Sequence, residues 1–142
     1  MKIYDAEGQI LGRLSSTIAK ELLKGESIIV VNAEKAVISG SPKATIKHYH
    51  IRIKRGDPLK GPFFPKTPDG ILRRAVRGML PWKKAKGRTA YKRLKVFIGV
   101  PEKLKENATE FKKIEAADAK RLKTKSIKLG DLSIALGAKK RW

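Results

Sequence analysis

Four consecutive β-branched residues, Ile28 to Val31, constrain the fold of this chain more than any other feature. An apolar run without alternation is typical of a strand that is buried on both faces of a parallel sheet. An amphipathic helix is predicted before it, because apolar residues recur there at helical spacing: Leu11, Leu14, Ile18 and Leu22. Gly25 is placed to end that helix, and Ile3-Tyr4 begins an earlier strand. A strand, a helix and a strand within 33 residues have the size of a βαβ unit, which predicts an α/β fold.

The chain is strongly basic, and its positive charge is concentrated in the middle. It has 34 Lys and Arg residues against 13 Asp and Glu, a formal net charge of +21. Residues 51–100 carry +13 of this charge, whereas residues 1–50 carry only +2. Repulsion on that scale weakens the folded state in isolation, so we expect a polyanionic partner. A charge run is often only a solvated surface, but the acidic residues that would balance such a surface are scarce here.

Patterns for catalysis and metal binding are missing from the sequence. There is no cysteine, which excludes disulfides and thiolate metal sites. His48 and His50 point to different faces of a predicted helix, and no acidic neighbour completes a zinc site. No phosphate-loop, dinucleotide or nucleophile-elbow motif occurs, and carboxylates for acid–base chemistry are scarce in the charged middle. We predict that the chain is not an enzyme and takes no metal, cofactor or small-molecule substrate.

Membrane and secretory signals are not recognisable either. The first residues lack the apolar segment of a signal peptide, and no apolar run approaches the ~20 residues that span a bilayer. A basic helix can also lie on a membrane surface, but the candidate at residues 68–80 is short and its apolar face is needed for the core. We expect an intracellular protein without a membrane partner.

Two helices are predicted in the basic middle of the chain. The first begins at Ser41-Pro42 and ends before Gly56. It has an apolar stripe of Ile46, Tyr49 and Ile53 and a cationic stripe of Lys43, Lys47, His50 and Lys54. The second begins at Thr67-Pro68 and is ended by Pro81. Its apolar face runs from Ile71 to Leu80, and three arginines lie off that face: Arg73, Arg74 and Arg77.

The segment between these helices, residues 56–68, cannot be regular structure. It contains four prolines and two glycines, yet it carries Phe63-Phe64 among basic residues. Long ordered loops of this kind tend to be functional. Farther along, the patterns predict a short basic helix at 89–93, a strand at 94–100, a mixed-charge helix at 111–122 and an amphipathic segment at 129–136.

Aromatic residues interleaved with arginine indicate nucleic acid as the polyanion. Basic side chains that neutralise phosphates release counterions, and arginine adds bidentate contacts and stacking. Phe63, Phe64 and Trp82 could stack on splayed bases or fill the core, and these two interpretations stay equal, whereas Phe97 belongs to the core. A Pro- and Gly-rich basic loop suits the irregular surface of folded RNA, and no zinc-finger or zipper spacing indicates DNA.

Several motifs resemble one known family, that of universal large-subunit ribosomal protein thirteen. Its most specific signature is matched by VRGMLP at 76–81, GR at 87–88 and LKVFIG at 94–99. The opening of the family is matched by YDA at 4–6, LGRLS at 11–15, VVNAEK at 30–35 and SG at 39–40. KGPFF at 60–64 and WK at 82–83 look like its archaeal and eukaryotic branch, and the short tail favours an archaeal source.

The resemblance implies a three-layer α/β/α fold with a four-stranded, mainly parallel sheet, together with basic loops and C-terminal helices. It implies one ribosomal-protein domain over residues 1–142 and a structural role in the large ribosomal subunit of the cytoplasm. That role is to bind large-subunit ribosomal RNA, beside neighbouring ribosomal proteins, and to support assembly and translation without catalysis.

We predict that an RNA-facing region spans about residues 43–95. Its predicted contacts are Lys43, Lys47, Lys54, Arg55, Lys60, Phe63, Phe64, Lys66, Arg73, Arg74, Arg77, Trp82, Lys83, Lys84, Lys86 and Arg88. In the stretch RGMLPWKKAKGR, Met79 and Leu80 are expected to finish the apolar face of a core-packed helix, and the basic loop after Trp82 is expected to lie on RNA. Two alternatives remain at this point: a chromatin-type DNA-binding protein and a subunit of an RNA-modifying enzyme.

Overall fold

The computed structural model describes residues 1–106 and 110–142 of the chain. Its strands are β1 (Lys2–Asp5), β2 (Ile28–Val31), β3 (Val37–Ser39), β4 (Leu94–Val96) and β5 (Ser126–Lys128). Its α-helices are α1 (Leu11–Leu23), α2 (Pro42–Lys54), α3 (Pro68–Gly78), α4 (Ala85–Lys92), α5 (Glu102–Lys105) and α6 (Leu129–Ala135). The predicted βαβ opening is confirmed, since α1 connects β1 to β2 and the two strands pair in parallel.

The main sheet is parallel and, within the described residues, has the strand order β1-β2-β4. β2 is central, because Ile29 lies opposite Ile3 on one side and Lys95 on the other. The prediction of a four-stranded sheet is therefore wrong for the described part of the chain. β3 and β5 instead form a separate antiparallel pair, in which Ile38 lies opposite Ile127.

Turns follow two of the strands in the main sheet. After β2, Asn32 adopts a left-handed conformation with a φ of 55°, and its side-chain amide donates a hydrogen bond to Asp5 Oδ1 at 3.0 Å. The 3₁₀ turn Ala33–Lys35 then redirects the chain away from the sheet before β3 begins. The strand predicted at 94–100 is shorter and ends at Val96, and the chain turns at Gly99 with a φ of 66°.

One face of the main sheet forms the larger core with α1 and α3. Ile28 and Val30 belong to this core and are fully buried. The two helices contribute six side chains that are at most 1% exposed: Leu14, Ile18, Leu22, Ile71, Leu72 and Val76. Burial of each such side chain stabilises the fold by about 1.5–3 kcal/mol relative to exposure. Since α3 is anchored in this core, its opposite face has a fixed position.

The other face of the sheet is covered by a smaller cluster. Ile3, Ile29 and Val31 are buried there, so β2 is covered on both faces, as its β-branched run predicts. Four partly buried side chains from the chain after β4 pack on them: Phe97, Val100, Leu104 and Phe111. The interpretation of Phe97 as a packing residue is confirmed.

The predicted mixed-charge helix at residues 111–122 is wrong. Two 3₁₀ turns, Glu115–Ala117 and Ala119–Arg121, lie there instead. The backbone of this segment is hydrogen-bonded to a distant part of the chain, residues 4–10. Ile10 donates its N–H to the Ala117 carbonyl at 2.6 Å, and Ile114 donates its N–H to Gln9 Oε1 at 3.0 Å. These long-range bonds use groups that an α-helix would need for itself.

The last predicted segment is confirmed as α6, whereas the short basic helix expected at 89–93 begins earlier, as α4 at Ala85.

In the described residues, no helix is long and apolar enough to cross a membrane. The same residues contain no group of three or more His, Cys, Asp or Glu side chains that could hold a metal ion.

An ion pair between Lys2 and Glu21 connects β1 to the last turns of α1 and leads to a testable prediction. The hydrogen bond from Lys2 lowers the pKa of the Glu21 carboxyl, so its contribution to stability is present above the ordinary value of 4.5. That contribution is lost as the pH falls through the lowered pKa. We expect the free energy of unfolding to fall less steeply below pH 4.5 in Glu21→Gln than in the wild type.

Denaturant unfolding at a series of pH values measures this difference. Glu102→Gln removes an exposed carboxylate that forms no ion pair with a described residue, and it serves as the control. Identical pH slopes for the wild type and Glu21→Gln would contradict the assignment.

Candidate nucleic-acid interface

The predicted contact residues lie on α2, on the loop after it, on α3, on the turn that leads into α4, and on α4 itself. Five of them are partly buried, namely Phe64, Arg73, Arg74, Arg77 and Trp82, and the others are exposed. The ion pairs among the described residues involve Lys2, Lys24, Lys35 and Lys113, all of which lie outside residues 43–95. The positive charge of this region is therefore not compensated by carboxylates in the described structure.

One group of arginine and aromatic side chains, here called the Phe64 cluster, joins α2 to α3. It consists of Tyr49, Arg52, Phe64 and Arg74. The guanidinium groups of Arg52 and Arg74 each lie 5.7 Å from the centre of the Phe64 ring, and the Tyr49 ring lies 5.7 Å from it. Burial raises the pKa of the Tyr49 phenol, while the nearby charge of Arg52 acts in the opposite direction.

A second group, here called the Trp82 cluster, lies on the other side of α3. It consists of Arg73, Arg77, Trp82 and Tyr91. Arg77 stacks at 4.3 Å from the Trp82 ring and Arg73 at 5.0 Å from the Tyr91 ring. The two rings meet edge to face, with centres 5.2 Å apart. Cation–π contacts of this type hold each guanidinium in place without neutralising its charge, at about 0.5–1 kcal/mol each when exposed.

Three aromatic residues were predicted either to stack on bases or to fill the core, and the structure gives them different surroundings. Phe64 packs against the edge of the main core, and Trp82 is partly buried against Tyr91. Phe63 is 67% exposed and is the one whose ring is most accessible to an RNA base. The sequence shows two adjacent phenylalanines, but only the fold distinguishes them.

The stretch RGMLPWKKAKGR forms a compact turn between α3 and α4. Leu80 is buried, as predicted, whereas Met79 is 45% exposed, so its assignment to the apolar face is wrong. Met79 follows the end of α3 as its C-cap and so no longer shares the helix's buried face. Lys83 and Lys84 lie in the turn, whereas Lys86 and Arg88 lie on α4 instead of in the predicted loop.

Arg88 and Gly87 stabilise the conformation of this turn. Arg88 Nε donates a hydrogen bond to the Trp82 carbonyl at 3.0 Å, so part of the guanidinium predicted to meet phosphate supports the backbone instead. Gly87 lies against Pro81, where an added Cβ would come within 2.2 Å of the Pro81 carbonyl oxygen. Only glycine allows α4 to start this close to Pro81.

The loop after α2 is closed at its base by two glycines. Gly56 and Gly61 have φ values of 92° and 124°, and a Cβ on Gly61 would lie 2.8 Å from the Gly56 Cα. The Asp57 N–H donates to the Lys60 carbonyl at 2.7 Å, which completes a tight turn with Leu59 at its tip, 91% exposed.

A shallow cleft of about 320 Å³ opens beside the Phe64 cluster. Its walls are formed by Arg52, Arg55, Pro62, Phe64, Arg74 and Gly78. Arg52, Pro62 and Gly78 were not among the contact residues predicted from the sequence. Arg52 follows Tyr49 by three positions on α2, a spacing that places two side chains on one helix face and could have indicated their contact. Gly78 lies within the signature stretch at 76–81, but that stretch does not indicate which of its residues line a cleft.

Comparison with known proteins decides the family. The family model described as Ribosomal protein L13 matches residues 1–103. The chain belongs to the ribosomal protein L13 family. It is 54% identical over 141 residues to the large ribosomal subunit protein uL13 of Methanosarcina barkeri, covering 98% of this chain and 99% of that protein. It is 53% identical over 137 residues to the protein of the same name from Archaeoglobus fulgidus, covering 95% and 86%.

The resemblance found in the short motifs is thus confirmed, including its archaeal character, since the relatives compared here are archaeal. Membership in a family of ribosomal proteins also confirms that this chain is not an enzyme. In this L13-family chain the signature stretch at 76–81 coincides with the end of α3 and the fastened turn that follows it.

The contact between Gly87 and Pro81 predicts a large effect for a single methyl group. In Gly87→Ala the new Cβ overlaps backbone atoms of Pro81, so α4 has to move, and we expect a loss of about 1–3 kcal/mol of stability. Urea unfolding measures it. The control, Gly12→Ala in α1, adds a methyl group that meets nothing within 4 Å and is expected to be neutral or stabilising. Equal stability of Gly87→Ala and the wild type would show that the turn tolerates the methyl group.

Proposed function

We propose that this chain is a structural constituent of the large ribosomal subunit, where it binds large-subunit ribosomal RNA in the cytoplasm and supports assembly and translation. The observation that carries the proposal is the combination of L13-family membership with a surface of uncompensated arginines and lysines over residues 43–95. The same surface is the proposed RNA-facing region of a single domain.

The two arginine–aromatic clusters support RNA as the ligand of this surface. A planar guanidinium can donate two parallel hydrogen bonds to one phosphate, and stacking on an aromatic ring fixes its plane before RNA arrives. Arg52 and Arg74 lie over the Phe64 ring on one side of α3, and Arg73 and Arg77 lie over the Tyr91 and Trp82 rings on the other. The separation of charge from carboxylates favours counterion release on binding.

We also propose the finer features of the fold and of the assembly. A three-layer α/β/α arrangement is supported by the second cluster on the sheet, to which α5 contributes Leu104. Contacts with neighbouring ribosomal proteins are proposed because the relatives are named as components of the large subunit.

Sedimentation of cell lysate on a sucrose gradient tests the proposal directly. We expect this chain to migrate with the large subunit and to remain there at moderately high salt, because many phosphate contacts hold it. Recovery only in light fractions or with DNA would reject a ribosomal role in favour of a non-ribosomal DNA- or RNA-binding protein.

The turn before α4 predicts a specific salt effect. Lys83→Gln combined with Lys84→Gln removes two exposed charges, so binding to ribosomal RNA weakens and the slope of log affinity against log salt becomes shallower by about 1.5. Filter binding at several salt concentrations measures the slope. The matched control, Lys103→Gln with Lys105→Gln, removes two exposed charges from α5, outside residues 43–95, and is expected to keep the wild-type slope. If the Lys83/Lys84 double variant has the same salt slope as the control variant, Lys83 and Lys84 do not contact the RNA.

A further inference from the structure

The cleft beside the Phe64 cluster has the chemistry of an anion site. Arg52, Arg55 and Arg74 contribute three guanidinium groups to its walls. In the described structure none of the three forms an ion pair or donates a side-chain hydrogen bond to the protein. By contrast, Arg88 and Arg93 each donate to backbone carbonyls. The cleft thus holds donors whose acceptors are not supplied by the described part of the chain.

The guanidinium groups of Arg52 and Arg74 are held over the same ring. Both lie 5.7 Å from the centre of Phe64, and Arg52 lies equally far from the ring of Tyr49. Contacts with a ring restrict a long side chain without using its hydrogen-bond donors. The two guanidinium groups come from different helices, α2 and α3, and line the same cleft.

Gly78, on the wall of the same cleft, has no packing explanation within the described chain. It lies in the last turn of α3, its φ is not in the left-handed region, and an added Cβ would meet nothing within 4 Å. Glycine in a helix is less stable there than alanine. Two other glycines in helices of this region are explained by close contacts, Gly70 with Pro65 and Gly87 with Pro81. Gly12 in α1 is equally open, but the open space at Gly78 lies beside three arginines of the cleft.

We propose that this cleft binds one backbone phosphate of ribosomal RNA, between the guanidinium groups of Arg52 and Arg74, with the sugar–phosphate chain passing over the bare backbone at Gly78. The site rests on the proposed function and deepens it by naming the ligand group and two residues, Arg52 and Gly78, that were not among the predicted contacts. A phosphodiester is the RNA group that accepts hydrogen bonds from two forks at once.

The first experiment fills the open space without changing charge. In Gly78→Leu the side chain occupies the cleft, so we expect the dissociation constant for a large-subunit ribosomal RNA transcript to rise at least tenfold. The melting temperature is expected to stay equal or rise, because leucine favours the helix more than glycine does. Gly12→Leu, at an equally open helical glycine of α1, is the control and is expected to bind RNA as the wild type does. Filter binding and thermal unfolding give the two readouts.

The second experiment keeps the positive charge at both positions but replaces the two guanidinium groups by amines. In Arg52→Lys combined with Arg74→Lys the net charge is unchanged, so the salt slope of binding should stay the same while the affinity falls at every salt concentration. Ethylation of the bound phosphate should interfere with wild-type binding, and this interference should be lost in the double variant. Arg121→Lys with Arg141→Lys, two exposed arginines outside the cleft, is the charge-matched control.

The outcomes separate this site from the wider proposal. If the wild-type chain binds the transcript while Gly78→Leu and the Arg52/Arg74 double variant bind it equally well, the cleft assignment is wrong and the proposed function stands. If the wild-type chain does not bind the transcript at all, the proposed function fails and the site fails with it. The phosphate site is established if both variants bind more weakly, Gly78→Leu melts no lower than the wild type, and the arginine double variant keeps the wild-type salt slope.

Discussion

Helix α3 is the element on which both the fold and the basic surface depend. Ile71, Leu72 and Val76 bury one of its faces against α1 and the parallel sheet. The opposite side carries Arg73, Arg74 and Arg77, which contact aromatic rings from the flanking segments. The apolar face thus provides the energy that holds three like charges within a few residues of one another, against their mutual repulsion.

Local periodicity was sufficient to predict the elements whose partners are nearby. The β-branched run of β2 and the helical spacing in α1 and α3 reflect which of their side chains are buried. The predictions of these elements were therefore correct. The segment at 111–122 was wrong because its backbone is bonded to residues about a hundred positions away. The β3–β5 pair was missed for a similar reason, since three-residue strands carry little pattern and their pairing depends on the turn after Asn32.

The basic region shows the same division between composition and geometry. Charge and aromatic content located it, because an excess of arginine over carboxylate is visible in the residues themselves. The pairing of Phe64 with Arg52 and Arg74, the exposure of Phe63 and the backbone role of Arg88 depend on how α2, α3 and α4 are placed. Family membership identifies the class of protein. It does not show which arginines donate hydrogen bonds to backbone carbonyls and which have no acceptor among the described residues.

The fastened turn between α3 and α4 also bears on the entropy of binding. Gly87 packs on Pro81, and Arg88 donates a hydrogen bond to the Trp82 carbonyl. These contacts fix the backbone that carries Lys83 and Lys84 without any contribution from a ligand. A loop that became ordered only on RNA would lose conformational freedom at that moment and bind more weakly for the same contacts. In this chain the backbone of that turn is already fixed by its own contacts, so the RNA contact proposed there would restrict only the lysine side chains.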